Sequence, residues 1–319
     1  MLDLKASTIA FLLPLLLSPI FAEDVKLVGC DDVGCPSNRG TDRCRVEDIT
    51  HFGVGVSPIP NVPSELEGFS LIKGVNNSIT PIQVNGSQEY PFRSFYYLGT
   101  PANTEANELS GCAIIFNNPP SKLFEYPKEG GRTDTLAATG ICSDVIEQSC
   151  IDTITQRARD TANDNTDRNA CNALEQELQK DDFSECSSFG GQGTSLGNFT
   201  IKSIGDLHNI RNSSDCWPVQ QKSDNLLQIA EVISNGSSSR REDIYREAYK
   251  ITPVLTVFVG GNNSLVNSTS SQMTCLKLVY HDQDPEEDGS GGSASAAAAL
   301  GGSWLITTVA VLVGILTAL

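Results

Sequence analysis

The sequence predicts an α+β protein: an antiparallel, β-rich, sandwich-like domain that carries a disulfide-stapled helical hairpin as an insertion. Two observations predict this fold class. Short runs of alternating or β-branched residues, separated by turn residues, occupy 50–120 and 251–280. Between these regions, 142–186 contains no Gly or Pro and repeats apolar residues at three- and four-residue steps, which is typical of amphipathic helices.

The strands are expected in order along the chain. The first β region contains runs at 51–56, 69–75, 93–98 and 112–116, and a further strand is expected at 199–204. In the run at 93–98, Phe95 and Tyr97 fall on one face and are expected in the core. Two final strands, 251–259 and 272–280, form a hairpin, whereas 224–234 and 241–250 are expected to be short helices.

Ten cysteines, all after residue 22, predict up to five disulfides in an oxidising compartment. They are Cys30, Cys35, Cys44, Cys112, Cys142, Cys150, Cys171, Cys186, Cys216 and Cys275. Four of them bracket the helical hairpin, and a nested pairing of Cys142 with Cys186 and of Cys150 with Cys171 would staple it. Other connectivities satisfy the same counts. Cys275, inside the last strand, is expected to tie that strand to a partner.

Both ends of the chain carry targeting patterns. A short apolar run, Ile9 to Ile20, precedes a small residue at Ala22 and predicts a cleaved signal peptide over 1–22. A Gly/Ser-rich stretch, an Ala-rich spacer and the uncharged apolar run Trp304–Leu319 predict attachment of a glycosylphosphatidylinositol (GPI) lipid at Gly292, with Ser290 and Ser293 as alternatives. A retained single span is the other interpretation of this tail.

These signals define the expected organisation of the chain. The extracellular domain covers 23–280, with the hairpin at about 142–186; a linker covers 281–292, and 293–319 is removed from the mature form. Seven N-x-[ST] sequons predict N-glycosylated surface loops. Their asparagines are Asn76, Asn85, Asn198, Asn212, Asn235, Asn262 and Asn267.

The net charge and the sequence motifs argue against several classes of function. The formal net charge is -17, from 39 acidic and 22 basic residues, and without a basic cluster nucleic acid is not an expected partner. The histidines His51, His208 and His281 lack an accompanying G-x-S-x-G elbow, so a Ser–His–Asp triad is not indicated. Cysteine and histidine spacings predict no metal site, and no cofactor is expected. A carboxylate pair for glycoside hydrolysis stays open among so many acidic residues.

The combination of a signal peptide, ten cysteines, many sequons, an acidic chain and a Gly/Ser/Ala-rich GPI signal resembles fungal GPI-anchored cell-surface glycoproteins of an uncharacterised family. The stretch Tyr97 to Phe116, with Y-L-G-T-P and S-G-C-A-I-I-F, and the Cys-rich hairpin are similar to secreted proteins of filamentous fungi. The cysteine count departs from the eight-cysteine CFEM pattern, so haem or iron capture is not implied. No catalytic residue is carried over by this resemblance.

The sequence therefore favours a non-enzymatic structural or adhesive glycoprotein. We expect it on the outer face of the cell membrane through a GPI anchor, with transfer to the cell wall as a further destination. The expected partners are the lipid bilayer, through the anchor, and wall polysaccharide or other surface glycoproteins. The alternative is a carbohydrate-active, wall-modifying enzyme that uses two carboxylates at roughly 5–10 Å.

Overall fold

The computed structural model describes residues 27–30, 32–35, 44–77, 82–84, 86–105, 108–118, 140–165, 169–190, 193–210, 216–234, 247, 250–261 and 264–279. All of them belong to one compact unit, Met1–Tyr280. The remaining residues, His281–Leu319, contain the predicted linker and lipid-attachment region, and all of them lie outside the described residues. Among the helices of the described residues, none is both long and apolar enough to cross a membrane.

The described residues form antiparallel strands and two longer helices. The strands are β1 (Cys44–Val46), β2 (Ile49–His51), β3 (Gly53–Pro58), β4 (Ser70–Asn77), β5 (Ile82–Val84), β6 (Ser87–Glu89), β7 (Phe92–Thr100), β8 (Gly111–Asn118), β9 (Asn198–Ser203), β10 (His208–Asn209), β11 (Asn225–Ser234), β12 (Thr252–Phe258) and β13 (Ser270–Leu276). The helices are α1 (Gln148–Asp164), α2 (Ala170–Leu178) and the single turn α3 (Ser187–Gly190). This confirms the predicted β-rich α+β class with a helical hairpin.

Two larger sheets make the sandwich. One has the strand order β10-β11-β7-β4-β3 and the other has the order β13-β12-β8-β9. Neighbouring residues of one strand pack on opposite faces: Ile115 joins the core between the sheets, whereas Ile114 joins the core beneath the helices. Such strict alternation is what a strand buried on both faces requires.

The hairpin covers the outer face of the four-stranded sheet. Ile154 of α1 and Leu174 of α2 pack in one apolar core with Leu255 of β12 and Met273 of β13. On the other side of the sandwich, the N-terminal segment and the segment around Trp217 cover the five-stranded sheet. Both sheets are therefore protected on both faces, which places solvent access at their edges.

Three disulfides in this part of the chain correct the predicted nested pairing. Cys150 pairs with Cys186, Cys112 of β8 pairs with Cys171, and Cys142 pairs with Cys275 of β13. The nested pairing was wrong because the hairpin does not stand alone: Cys171 and Cys142 pair with cysteines of β8 and β13, two strands of the sheet on which it packs. Cys275 does tie the last strand to a partner, as expected.

The segment 224–234 is also corrected, because it forms strand β11 and not a short helix. Its sequence contains good helix formers, Leu, Gln, Ala and Glu, but β11 pairs with β7 on one side and with β10 on the other. Pairing on both sides and burial outweigh the weak intrinsic helix preference. The other predicted helix, 241–250, lies outside the described residues apart from Glu247 and Lys250.

Candidate functional site

A groove of about 620 Å³ runs between helix α1 and strand β13, and we take it as the candidate functional site. Its floor is the stretch 271–275 of β13, and one wall is the face of α1 that carries Gln148, Asp152 and Thr155. The opposite wall comes from the end of β3 and the turn after it. The remaining lining residues are Leu27, Ser57, Pro60, Asn61, Gly140, Ile141, Cys142, Ser143, Ile151 and Arg159.

The disulfide Cys142–Cys275 fixes one end of the groove. It joins the turn before α1 to the floor strand, with a Cα–Cα distance of 5.1 Å. On the opposite wall, the Gln272 side chain donates a hydrogen bond to the Asn61 carbonyl at 2.8 Å. The helix, the floor and the turn are therefore connected by one covalent bond and one hydrogen bond, so the walls are pre-formed.

Two hydroxyl groups of the floor strand have no hydrogen-bond partner. Ser271 Oγ and Thr274 Oγ1 are buried and unpartnered, and their residues are 2% and 3% exposed. A buried hydroxyl without a partner costs about 1–3 kcal/mol, so such groups are rare. Both residues line the groove.

The chemistry of the described lining is that of a binding site with few charges. Hydroxyl and amide groups dominate, with Asp152 as the one carboxylate and Arg159 as the one basic group among the described lining residues. Apolar surface from Leu27, Ile151 and Met273 lies between them. Hydrolysis of a glycoside requires two carboxylates, and the described lining supplies one.

A buried ion pair lies away from the groove, at one end of the interior between the two sheets. Lys73 Nζ lies 3.8 Å from Glu247 Oε1 and 3.2 Å from Thr252 Oγ1, and it also contacts the Lys250 carbonyl. Ser94 Oγ donates to Glu247 Oε1 at 2.8 Å. Burial lowers the pKa of Lys73 from 10.5 to about 8, against the opposing effect of Glu247. None of these residues lines the groove.

The two histidines of the described residues, His51 and His208, lie apart from one another. His51 is fully buried, its Nε2 lies 3.2 Å from the Tyr97 hydroxyl, and burial lowers its pKa to about 3. It is therefore a neutral core residue at physiological pH. His208 is exposed in β10, and His281 lies outside the described residues. The predicted core residues Phe95 and Tyr97 are both buried.

The ring of Trp217, the kind of side chain on which a sugar could stack, is not presented to solvent. The residue is 6% exposed, and its indole N–H donates to the Asp224 carbonyl at 2.8 Å. It lies at a second depression of about 590 Å³ beside β10, which also includes His208 and Lys222. Burial holds the pKa of Asp224 above its usual value and that of Lys222 below its usual value.

The N-terminal cysteines meet at one place. The Sγ atoms of Cys35, Cys44 and Cys216 lie within 4.8 Å of one another, and Cys30 packs against the same core. Both Cys35 and Cys44 contact the Cys216 sulfur, which can form only one disulfide. Thiolates so placed are also soft metal ligands in a reducing compartment. In an oxidising compartment, four cysteines at one site form two disulfides.

The sequons divide by location. Asn198, at the start of β9, and Asn267 are exposed, whereas Asn76 is half-buried and its Nδ2 donates to the Thr50 carbonyl. The other four sequon asparagines are Asn85, Asn212, Asn235 and Asn262, which lie outside the described residues. So do Ser290, Gly292 and Ser293.

Sequence reasoning did not find the groove. It is assembled from the turn after β3, helix α1 and strand β13, which lie far apart in the sequence. No local motif marks them; the sole signal is the uncharged sequence of β13, Ser-Ser-Gln-Met-Thr-Cys-Leu. Comparison of the chain with protein-family models, with curated proteins and with solved structures gives no match.

Proposed function

We propose that this chain is a GPI-anchored extracellular glycoprotein and that its domain is a non-enzymatic binding module at the cell surface. The groove beside α1 is the observation that carries the binding function. It is pre-formed, it offers hydroxyl, amide and apolar groups, and two of its hydroxyls lack partners. These are the features of a site that holds a ligand by shape and hydrogen bonds.

The disulfides support the extracellular location. Cys150–Cys186, Cys112–Cys171 and Cys142–Cys275 connect the hairpin and the four-stranded sheet. Disulfides of this kind persist in secreted and surface proteins and are rare in the cytosol. The GPI anchor itself is proposed from the sequence of the C-terminal region.

Release from cells tests the anchor. Treatment of intact cells with phosphatidylinositol-specific phospholipase C is expected to move the protein into the medium. Extraction by detergent alone, with no release by the lipase, would contradict the anchor and favour a retained span.

A second assay tests the non-enzymatic function. The purified mature domain is incubated with cell-wall polysaccharide fractions, and new reducing ends are measured. We expect none above the buffer control. Release of reducing ends that Asp152→Asn abolishes, while the exposed Asp160→Asn retains it, would favour the enzymatic alternative.

A further inference from the structure

We propose that Cys216 is the shared partner of two alternative disulfides, one with Cys35 and one with Cys44, and that the N-terminal segment exchanges between these two cross-linked forms. The exchange is started by a small thiol, so the site is a thiol-sensitive switch in the cover of the five-stranded sheet. This inference goes beyond the proposed binding function and depends on the proposed extracellular location alone.

The pairing of the other cysteines leaves four for this site. Six of the ten cysteines pair with one another in the three disulfides of the hairpin and the four-stranded sheet. The remaining four are Cys30, Cys35, Cys44 and Cys216. Because Cys216 pairs with either Cys35 or Cys44, an oxidising compartment leaves the other of these two for Cys30. The two connectivities are therefore Cys35–Cys216 with Cys30–Cys44, and Cys44–Cys216 with Cys30–Cys35.

Both alternatives fit the backbone as it stands. The Cα atom of Cys216 lies 4.6 Å from that of Cys35 and 5.1 Å from that of Cys44. Protein disulfides join Cα atoms about 4.4–6.8 Å apart, so either bond forms without backbone movement. Among the described residues, this is the one place where three cysteine sulfurs lie within 4.8 Å of one another.

The fourth cysteine adjoins the same site. Cys30 packs against the core that contains the other three cysteines. The Cys35 amide donates a hydrogen bond to the Cys30 carbonyl at 2.8 Å, and we call the turn that this bond closes the N-terminal turn. Cys30 is half-buried, whereas the other three cysteines are 5% exposed or less. A thiolate from solvent therefore reaches the disulfide of Cys30 before it reaches the one of Cys216.

The exchange proceeds in three balanced steps, starting here from the form with Cys30–Cys44. A small thiolate attacks the Cys30 sulfur, forms a mixed disulfide with it and releases Cys44 as a thiolate. The Cys44 thiolate attacks Cys216 Sγ; a new S–S bond forms, the old bond breaks, and its electron pair leaves on Cys35. The Cys35 thiolate then attacks the Cys30 sulfur of the mixed disulfide and expels the small thiolate. Two disulfides remain throughout this cycle if the mixed disulfide is counted, and the reagent is regenerated.

The two forms differ in how the N-terminal turn is attached. In one form, the Cys35–Cys216 bond joins the turn to the segment around Trp217. In the other, Cys30–Cys35 closes the turn on itself, and its attachment to that segment is noncovalent. The contact of Lys222 Nζ with the carbonyl of residue 33 is part of this noncovalent attachment. We therefore expect the turn to open more often when Cys216 is paired with Cys44.

Disulfide mapping of the full mature protein tests the two connectivities. The folded protein is incubated with reduced and oxidised glutathione, quenched in acid, alkylated and digested without reduction. Asp-N and trypsin separate the N-terminal cysteines, because they cut before Asp31 and after Arg39. We expect both connectivities, each at about a tenth of the total or more, whereas the other three disulfides keep one partner each and are the internal control. A single connectivity before and after incubation, or a Cys30–Cys216 bond, would overturn the proposal.

Approach from a second direction tests the exchange itself. The reduced protein is refolded in the same glutathione buffer, and its disulfides are mapped in the same way. Disulfide rearrangement takes minutes to hours, so after about a day both samples are expected to show one ratio of the two connectivities. Ratios that remain different would mean that the forms do not exchange, and they would overturn the switch.

Cys30→Ser tests the central step without a small thiol. The site of this variant keeps three cysteines, and therefore one disulfide and one thiol. Alkylation in denaturant after an acid quench identifies the residue that carries the thiol. We expect label on both Cys35 and Cys44 and none on Cys216; label on one of the two alone, or on Cys216, would contradict a shared partner. If this variant is not secreted, the mapping of the wild-type protein decides.

Two double variants test the structural consequence. Cys30→Ser/Cys35→Ser retains only Cys44–Cys216, and Cys30→Ser/Cys44→Ser retains only Cys35–Cys216. Hydrogen exchange of the Val33 amide, which is hydrogen-bonded within the N-terminal turn, is expected to be at least about tenfold faster in the first variant. Equal protection would overturn the switch. Ten reduced cysteines in protein taken from cells would instead contradict the extracellular location, which the lipase assay tests separately.

Discussion

The buried ion pair between Lys73 and Glu247 gives the sharpest prediction about stability. Glu247→Gln removes one negative charge but keeps a side-chain oxygen that can accept the hydrogen bond from Ser94. Lys73 is fully buried, and its Nζ lies 3.8 Å from Glu247 Oε1. At this distance two unit charges interact by about 4 kcal/mol when the effective dielectric constant is about 20. Removing one partner of a buried pair costs about 3–5 kcal/mol when the remaining group stays charged. Because the pKa of Lys73 is about 8, this lysine can instead lose its proton at pH 7 for about 1.4 kcal/mol, so we expect a loss of about 1–2 kcal/mol.

The pH dependence of this loss follows from Lys73. Its pKa is lowered from 10.5 to about 8 in the folded protein, so between these values the unfolded chain binds more protons and stability rises with pH. Without Glu247 the pKa falls further, because the charge that favoured protonation is gone. By about pH 9.5 Lys73 is neutral in both folded proteins, and the deficit of the variant is expected to shrink to about 0.3 kcal/mol or less.

Urea unfolding with the disulfides intact measures both quantities. The matched control is Glu231→Gln, which removes the same charge from the half-exposed pair with Arg93 and is expected to cost less than about 1 kcal/mol. A deficit for Glu247→Gln that equals the control, or that stays constant between the two pH values, would refute this account of the buried pair.

Three further predictions concern the framework and the surface. Replacing both Cys150 and Cys186 by Ala opens a loop with a sequence separation of 36 and is expected to lower the free energy of unfolding by about 2–4 kcal/mol; an unchanged melting temperature would contradict this. Gly74→Ala places a Cβ 2.8 Å from His51 Nδ1 and is expected to cost about 1–3 kcal/mol in urea unfolding, whereas a neutral result would show that the histidine moves easily. Asn198→Gln is expected to remove one glycan and increase gel mobility; identical mobility would mean that this exposed sequon is not used.

The sequence predicted most of the local structure because the period of apolar residues reports burial directly. The strongest β-like runs became β12 and β13, and the apolar stripe at 145–154 marked α1. The helix predicted over 224–234 was wrong because pairing with β7 and β10 holds these helix-forming residues in a strand.

Disulfide pairing and the groove could not be predicted because both depend on contacts between distant segments. Cys142 and Cys275 are separated by 133 residues, and no spacing rule relates them. The groove requires the edge position of β13, which follows from strand order and not from the composition of the strand.

Mass spectrometry of the C-terminal peptide of the mature protein tests the central claim most directly, namely that a folded surface domain is attached to lipid at its C-terminal end. We expect a peptide that ends at Gly292, or at Ser290 or Ser293, and that carries a phosphoethanolamine–glycan remnant. Recovery of unmodified peptides from Trp304–Leu319 in the mature protein would contradict the claim.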